Sequence, residues 1–255
     1  MIIESLQNEK IKNLSRLYTD NRFRKKSGLF VVEGQQENDR AIQHGFENNT
    51  FFICEELYKR EIPQGTVHFI SKNVFEKTAY RGDSGGILGI FEVPDSDLKS
   101  FAPKKDSTII VIEGAEKPGN LGAILRSCEA FGIDALFVAD TKVDIYNPNV
   151  IRSSVGCLFG MNIFSLENDT ALNFLRENGF NIFTTIMSEN SEMLQSADFD
   201  QKTAVVFGTE HSGISDFWKN TGTNILIPMA GTIDSLNLSN AVAITCYETL
   251  RQKMK

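Results

Sequence analysis

Long apolar runs are missing from this 255-residue chain: none approaches the ~20 residues that a membrane-spanning helix requires. The opening Met1-Ile2-Ile3-Glu4-Ser5 lacks the basic and apolar regions of a secretory signal, so a cytoplasmic protein is expected. Cysteine is sparse. Cys54, Cys128, Cys157 and Cys246 are scattered without C-x-x-C spacing, which argues against both a disulfide framework and a zinc site, and no metal is expected. Of three histidines, His44 and His68 lie far from every motif described below, and His211 reads as a surface position. Nucleotide signatures also fail. Gly114 and Gly119 have P-loop spacing, but Asn120-Leu121 stands where Lys-[Ser/Thr] is required, and no G-x-G-x-x-G follows the first strand of either half.

Positive charge is in deficit, with 26 Lys and Arg against 33 Asp and Glu and a net charge of −7. Nucleic-acid binding rests on clustered positive charge, so the total argues against it, but the distribution does not. Residues 1–28 carry seven basic and three acidic side chains, +4 locally, which leaves −11 for the remainder. Arg22, Arg24, Lys25 and Lys26 form the densest cluster and are the candidate phosphate-binding residues.

Periodicity then organises the chain into an α/β pattern. A helix over 8–19, with Ile11, Leu14, Leu17 and Tyr18 on one face, precedes the basic cluster. Strands at 29–33, 50–54, 67–71 and 86–93, interleaved with helices at 39–43 and 72–78, predict a small first domain over 1–93. The polar stretch 94–107 holds two prolines and reads as a linker. A second domain over 108–255 resumes the alternation, including a helix near 148–152, strands at 108–112, 135–139, 204–207 and 224–227, and a last helix from Leu238. Apolar strands separated by helices predict a largely parallel sheet, whose ligands bind at the carboxyl ends of the strands.

Three blocks lie at such ends. Pro118-Gly119-Asn120-Leu121-Gly122-Ala123-Ile124-Leu125-Arg126-Ser127 opens a helix, and Val205-Val206-Phe207-Gly208-Thr209-Glu210-His211-Ser212-Gly213-Ile214 runs from a strand into a glycine-bracketed loop. Ile227-Pro228-Met229-Ala230-Gly231-Thr232-Ile233-Asp234-Ser235-Leu236-Asn237-Leu238-Ser239-Asn240 joins a strand to the final helix. Taken singly, Asn120, Ser235 and Asn237 could each be helix caps. In this order and wording, however, the blocks resemble motifs 1, 2 and 3 of the SpoU-TrmH family of RNA 2′-O-methyltransferases, within the SPOUT superfamily.

That resemblance implies a C-terminal SPOUT trefoil-knot domain and, ahead of it, an α/β RNA-binding domain similar to the ribosomal-protein L30e-like fold. It implies S-adenosylmethionine as cofactor, a homodimer that completes the active site, and a ribose 2′-hydroxyl of structured RNA as methyl acceptor, with ribosomal RNA favoured over transfer RNA. DNA and membranes are not expected as partners. Carried onto this sequence, the catalytic residues are Asn120, Arg126, Glu210, Ser235 and Asn237, and the cofactor residues are Gly208, Ile227, Met229, Leu236 and Leu238. Arg126 would engage the target nucleotide. A guanidinium stays protonated in proteins, so phosphate and ribose positioning ranks ahead of proton abstraction as its role. The rival reading is a non-catalytic RNA-binding protein that retains the fold.

Overall fold

The computed structural model describes residues 2–80, 84–210, 212–233 and 235–254, leaving aside the side chains of Asn48 and Asn49. His211 therefore lies outside the described residues. The chain forms two compact units, one of Met1–Asp95 with Asp144–Gly160 and one of Ser96–Val143 with Met161–Lys255.

In the first unit β1 (Ile2–Ile3), α1 (Glu9–Thr19), α2 (Asn21–Ser27), β2 (Leu29–Glu33), α3 (Gln35–Gln43), β3 (Asn48–Ile53), β4 (Val67–Ile70), α4 (Lys72–Thr78) and β5 (Ile87–Glu92) follow in order. The five strands form a mixed sheet, β1-β4-β3-β5-β2, in which β5 runs antiparallel to both its neighbours. Asn8 caps α1, which buries Ile11, Leu14 and Leu17 against β2, β3 and α4. The basic cluster is itself helical. Asp20 ends α1 and caps α2 through the Phe23 amide, and Gly28, at φ 65°, ends α2 in the left-handed conformation glycine tolerates.

One consequence corrects the charge reading. Successive residues of a helix point about 100° apart, so Arg22, Lys25 and Lys26 are exposed while Arg24 is turned inward and only 3% exposed. Its Nε donates to Asp144 Oδ2 at 2.6 Å and its Nη1 donates to the Leu17 carbonyl at 2.7 Å. Arg24 is thus a structural ion pair and no phosphate contact. Asp144 belongs to the stretch 144–160, which carries α6 (Pro148–Ser153) and which the strand–helix alternation had grouped with the second domain. Here it completes the first core: Tyr146 stacks on Phe30 with ring centroids 4.6 Å apart, and Phe159 meets Phe46 edge-on at 4.9 Å. Burial and the nearby Asp144 carboxylate push the Tyr146 hydroxyl up to about 12, so it remains a neutral phenol.

The second unit contains β6 (Thr108–Glu113), α5 (Pro118–Ala130), β7 (Ala135–Ala139), β8 (Asn162–Leu166), α7 (Asn168–Glu177), β9 (Asn181–Thr184), β10 (Glu192–Met193), β11 (Thr203–Phe207), β12 (Thr223–Leu226) and α8 (Leu238–Lys253). Its seven strands, in the order β10-β12-β9-β11-β6-β7-β8, are all parallel. β6, β7 and β11 are buried along their whole length, as continuous β-branched and apolar runs require of central parallel strands. Ile109, Val111, Phe137, Val206 and Trp218 form the centre of this core. Leu98 and Phe101, within the stretch read as linker, pack on the same core, so the chain joins this unit from Ser96. No helix among the described residues is long and apolar enough to cross a membrane.

Candidate active site

The three motif blocks meet at the carboxyl ends of β6, β11 and β12. After β11, Gly208 begins a loop that turns back on itself through reciprocal hydrogen bonds between Thr209 and Gly213, at 3.0 and 3.1 Å. A side chain at Gly208 would place its Cβ 2.0 Å from the Gly213 carbonyl, so the close approach of the loop's two arms requires glycine. The loop holds Glu210 at its tip. After β12, Ile227 to Asn237 leads into α8, whose first turn Asn237 caps by accepting from the Ser239 amide at 3.0 Å.

Glu210 is the centre of a polar cluster. Its Oε2 accepts from Lys117 Nζ, and its Oε1 accepts from Asn120 Nδ2 and, at 2.9 Å, from Asn237 Nδ2. The starts of α5 and α8, distant in sequence, are thereby tied to one half-buried carboxylate. Asn120, Glu210 and Asn237 are polar residues of the three motifs: Asn237 both caps α8 and donates to Glu210, whereas Asn120 lies within the first turn of α5, which has no side-chain cap. Lys117 is an addition. It immediately precedes the Pro118-Gly119-Asn120 block, but its partner lies 93 residues further on and nothing local announces the pair.

Beside this cluster lies a cavity of about 550 Å³, within the range of small-molecule sites. All five expected cofactor residues, Gly208, Ile227, Met229, Leu236 and Leu238, line it, together with Ser235 and Glu210. Phe207, Gly208 and Thr209 therefore face the same space as Ile227, Met229, Ser235, Leu236 and Leu238. Thr185, Ile186 and Met187, from the loop after β9, complete the wall and were not foreseen, because a short apolar run after a strand has no distinctive pattern. Apolar side chains and glycine backbone suit an adenosyl group, and Glu210 and Lys219 supply the charges among the described lining residues.

Arg126 stands apart. It projects from the middle of α5 into solvent, lines neither this cavity nor the smaller one beside Asn120, and pairs with no carboxylate among the described residues. Among the described residues no group of three or more His, Cys, Asp or Glu side chains is placed to hold a metal ion.

Comparison with known proteins turns this geometry into a family assignment. A model of the SpoU rRNA Methylase family matches residues 107–247, more than half of the chain. The chain belongs to the SpoU family. Residues 8–89 match a second model, an MRM3-like substrate binding domain. Among curated SpoU relatives, the 23S rRNA (uridine(2479)-2′-O)-methyltransferase of Streptomyces viridochromogenes is 27% identical over 97% of this chain and 91% of its own. A crystal structure of an RNA 2′-O ribose methyltransferase is 32% identical, with a TM-score of 0.87 over the whole of both chains. The SpoU methyltransferase AviRb of S. viridochromogenes, solved with AdoMet, is 25% identical with a TM-score of 0.86, covering 97% of this chain and 99% of that one.

Proposed function

We propose that this protein transfers a methyl group from S-adenosylmethionine to a ribose 2′-hydroxyl of ribosomal RNA. The observation that carries this reading is the juxtaposition of the 550 Å³ cavity with the Lys117–Glu210–Asn120–Asn237 cluster, in a chain of the SpoU family. The cofactor, when bound, supplies an electrophilic methyl group on a sulfonium. Gly208, Ile227, Met229, Leu236 and Leu238 hold it and exclude water, while Asn120, Glu210, Ser235 and Asn237 orient the loops and the acceptor ribose. Titrating the protein calorimetrically with S-adenosylhomocysteine tests the pocket. One saturable site per chain is expected, and an absence of binding would contradict the assignment.

Arg126 positions the target nucleotide, acting in a site completed by a second copy of the chain. Support comes from its exposure and from the neighbouring face of α8, where Ile244 and Tyr247 are exposed, Tyr247 at 55%, and Tyr247 meets Phe131 edge-on. An apolar face of this kind on paired helices α5 and α8 fits a homodimer interface. The segments 205–209 and 227–238, each of which contributes residues to the cavity wall, lie side by side in the trefoil knot that the family implies. The chain works in the cytoplasm.

The first unit, with its mixed sheet and its match to a substrate-binding family, holds the RNA in the manner of an L30e-like domain. With Arg24 removed from the set, Arg22, Lys25 and Lys26 are its phosphate contacts. Changing Lys25 and Lys26 together to Ala should weaken RNA binding and make its salt dependence shallower by roughly one to two units of slope. An unaltered slope in filter-binding titrations would place the RNA surface elsewhere.

A further inference from the structure

Glu113 is the last residue of β6 and is only 6% exposed, an unusual setting for a carboxylate with no cationic partner among the described residues. Its oxygens are satisfied by three donors. Oε2 accepts from the Ser215 amide at 2.8 Å, and Oε1 accepts from Ser215 Oγ at 2.6 Å and from Asn168 Nδ2 at 2.8 Å. Asn168 is fixed in turn, its Oδ1 accepting from the buried Trp218 indole at 2.8 Å and its Nδ2 donating to Asp140 Oδ2 at 2.6 Å. The carboxylate thus sits at the end of a rigid, buried chain of hydrogen bonds.

Ser215 is the residue at which the Glu210 loop ends. The loop starts where β11 leaves its ladder with β6, at the pair Phe207 and Ile112, one residue before Glu113. Both arms of the loop are consequently held by β6: one by the ladder and the other by the Glu113 side chain. Between them the Thr209–Gly213 bridge closes the loop and presents Glu210 to Asn120 and Asn237. The same loop supplies Gly208, Thr209, Ser212, Gly213 and Ile214 to the cavity wall.

We propose that Glu113 is a positioning residue for methyl transfer, which acts through Ser215 to fix the loop that carries Glu210 and forms one wall of the cofactor cavity. This rests on the proposed function, but the loop's order can be measured without cofactor or RNA. A glutamine cannot replace the carboxylate: it offers one acceptor oxygen, and its NH₂ would meet the donors of Ser215 or Asn168. Glu113→Gln should speed hydrogen exchange of the 209–214 amides by roughly tenfold or more in the free protein, with α8 unchanged. It should also raise the Kd for S-adenosylhomocysteine and lower kcat, each by about tenfold, while leaving RNA affinity intact.

Should Glu113→Gln fold poorly, Ser215→Val and Ser215→Thr form a matched pair of equal size, differing in the hydroxyl. Val should reproduce the fast exchange and weakened cofactor binding, and Thr should restore both. Equal exchange in the Val and Thr proteins and the wild type, or a lowered Tm with unchanged Kd and kcat at 25 °C, would overturn the positioning role. If the wild type bound no S-adenosylhomocysteine, the cofactor assignment would fall, and the exchange experiment would still decide what Glu113 does to the loop.

Discussion

Arg126→Ala is expected to bind S-adenosylhomocysteine almost as tightly as the wild type while losing methyl transfer by at least about 100-fold, the scale of removing one preorganised charge from a reacting centre. The first half follows from position: Arg126 lines no part of the cofactor cavity. The second follows from the role proposed for it on a neighbouring copy's substrate. Mixing supplies the sharper test. Neither an Arg126→Ala chain nor an Asn120→Ala chain should be active alone, yet statistical mixtures should recover about a quarter of the wild-type rate if a two-fold dimer pools one residue from each chain. Recovery would be zero if both residues must come from the same chain, and undiminished turnover of Arg126→Ala would remove the arginine from the mechanism.

Arg24→Met should destabilise the protein by about 3–5 kcal/mol, because it leaves the Asp144 carboxylate buried without its cation. Asp144→Leu alone should cost a similar amount, although it lies 120 residues away in sequence. Replacing both at once should recover most of the loss, since two apolar side chains need no counter-charge. Lys25→Met, on the exposed face of the same helix, should stay within about 0.5 kcal/mol of wild type. Urea midpoints followed by circular dichroism measure all four variants. Equal effects for Arg24→Met and Lys25→Met would mean that the ion pair is not a structural element.

The Arg24 result also marks where sequence legibility ends. Period and apolar run length place β2, α4 and β7 at their observed bounds, and the motif spacing places Gly208, Leu236 and Leu238 on one cavity. These are local signals, or local signals joined by a recognised order of blocks. A charge cluster, by contrast, says nothing about which member turns inward, because that depends on a cap at Asp20 and on a carboxylate supplied by residue 144. The stretch 144–160 follows β7 in the alternation and reads as part of its domain, but its Tyr146 and Phe159 find their partners in Phe30 and Phe46. Lys117 and Glu113 escaped notice for a related reason: each is ordinary in its own neighbourhood and is defined by a contact about a hundred residues away.

The most direct test of the account is methyl transfer from labelled S-adenosylmethionine into separated ribosomal and transfer RNA from cells lacking this protein, followed by nuclease digestion and mass spectrometry. The account predicts label in ribosomal RNA, confined to a single 2′-O-methylated ribonucleotide and absent with the Arg126→Ala protein. Label on a base, or none in ribosomal RNA by a protein that binds S-adenosylhomocysteine, would contradict it.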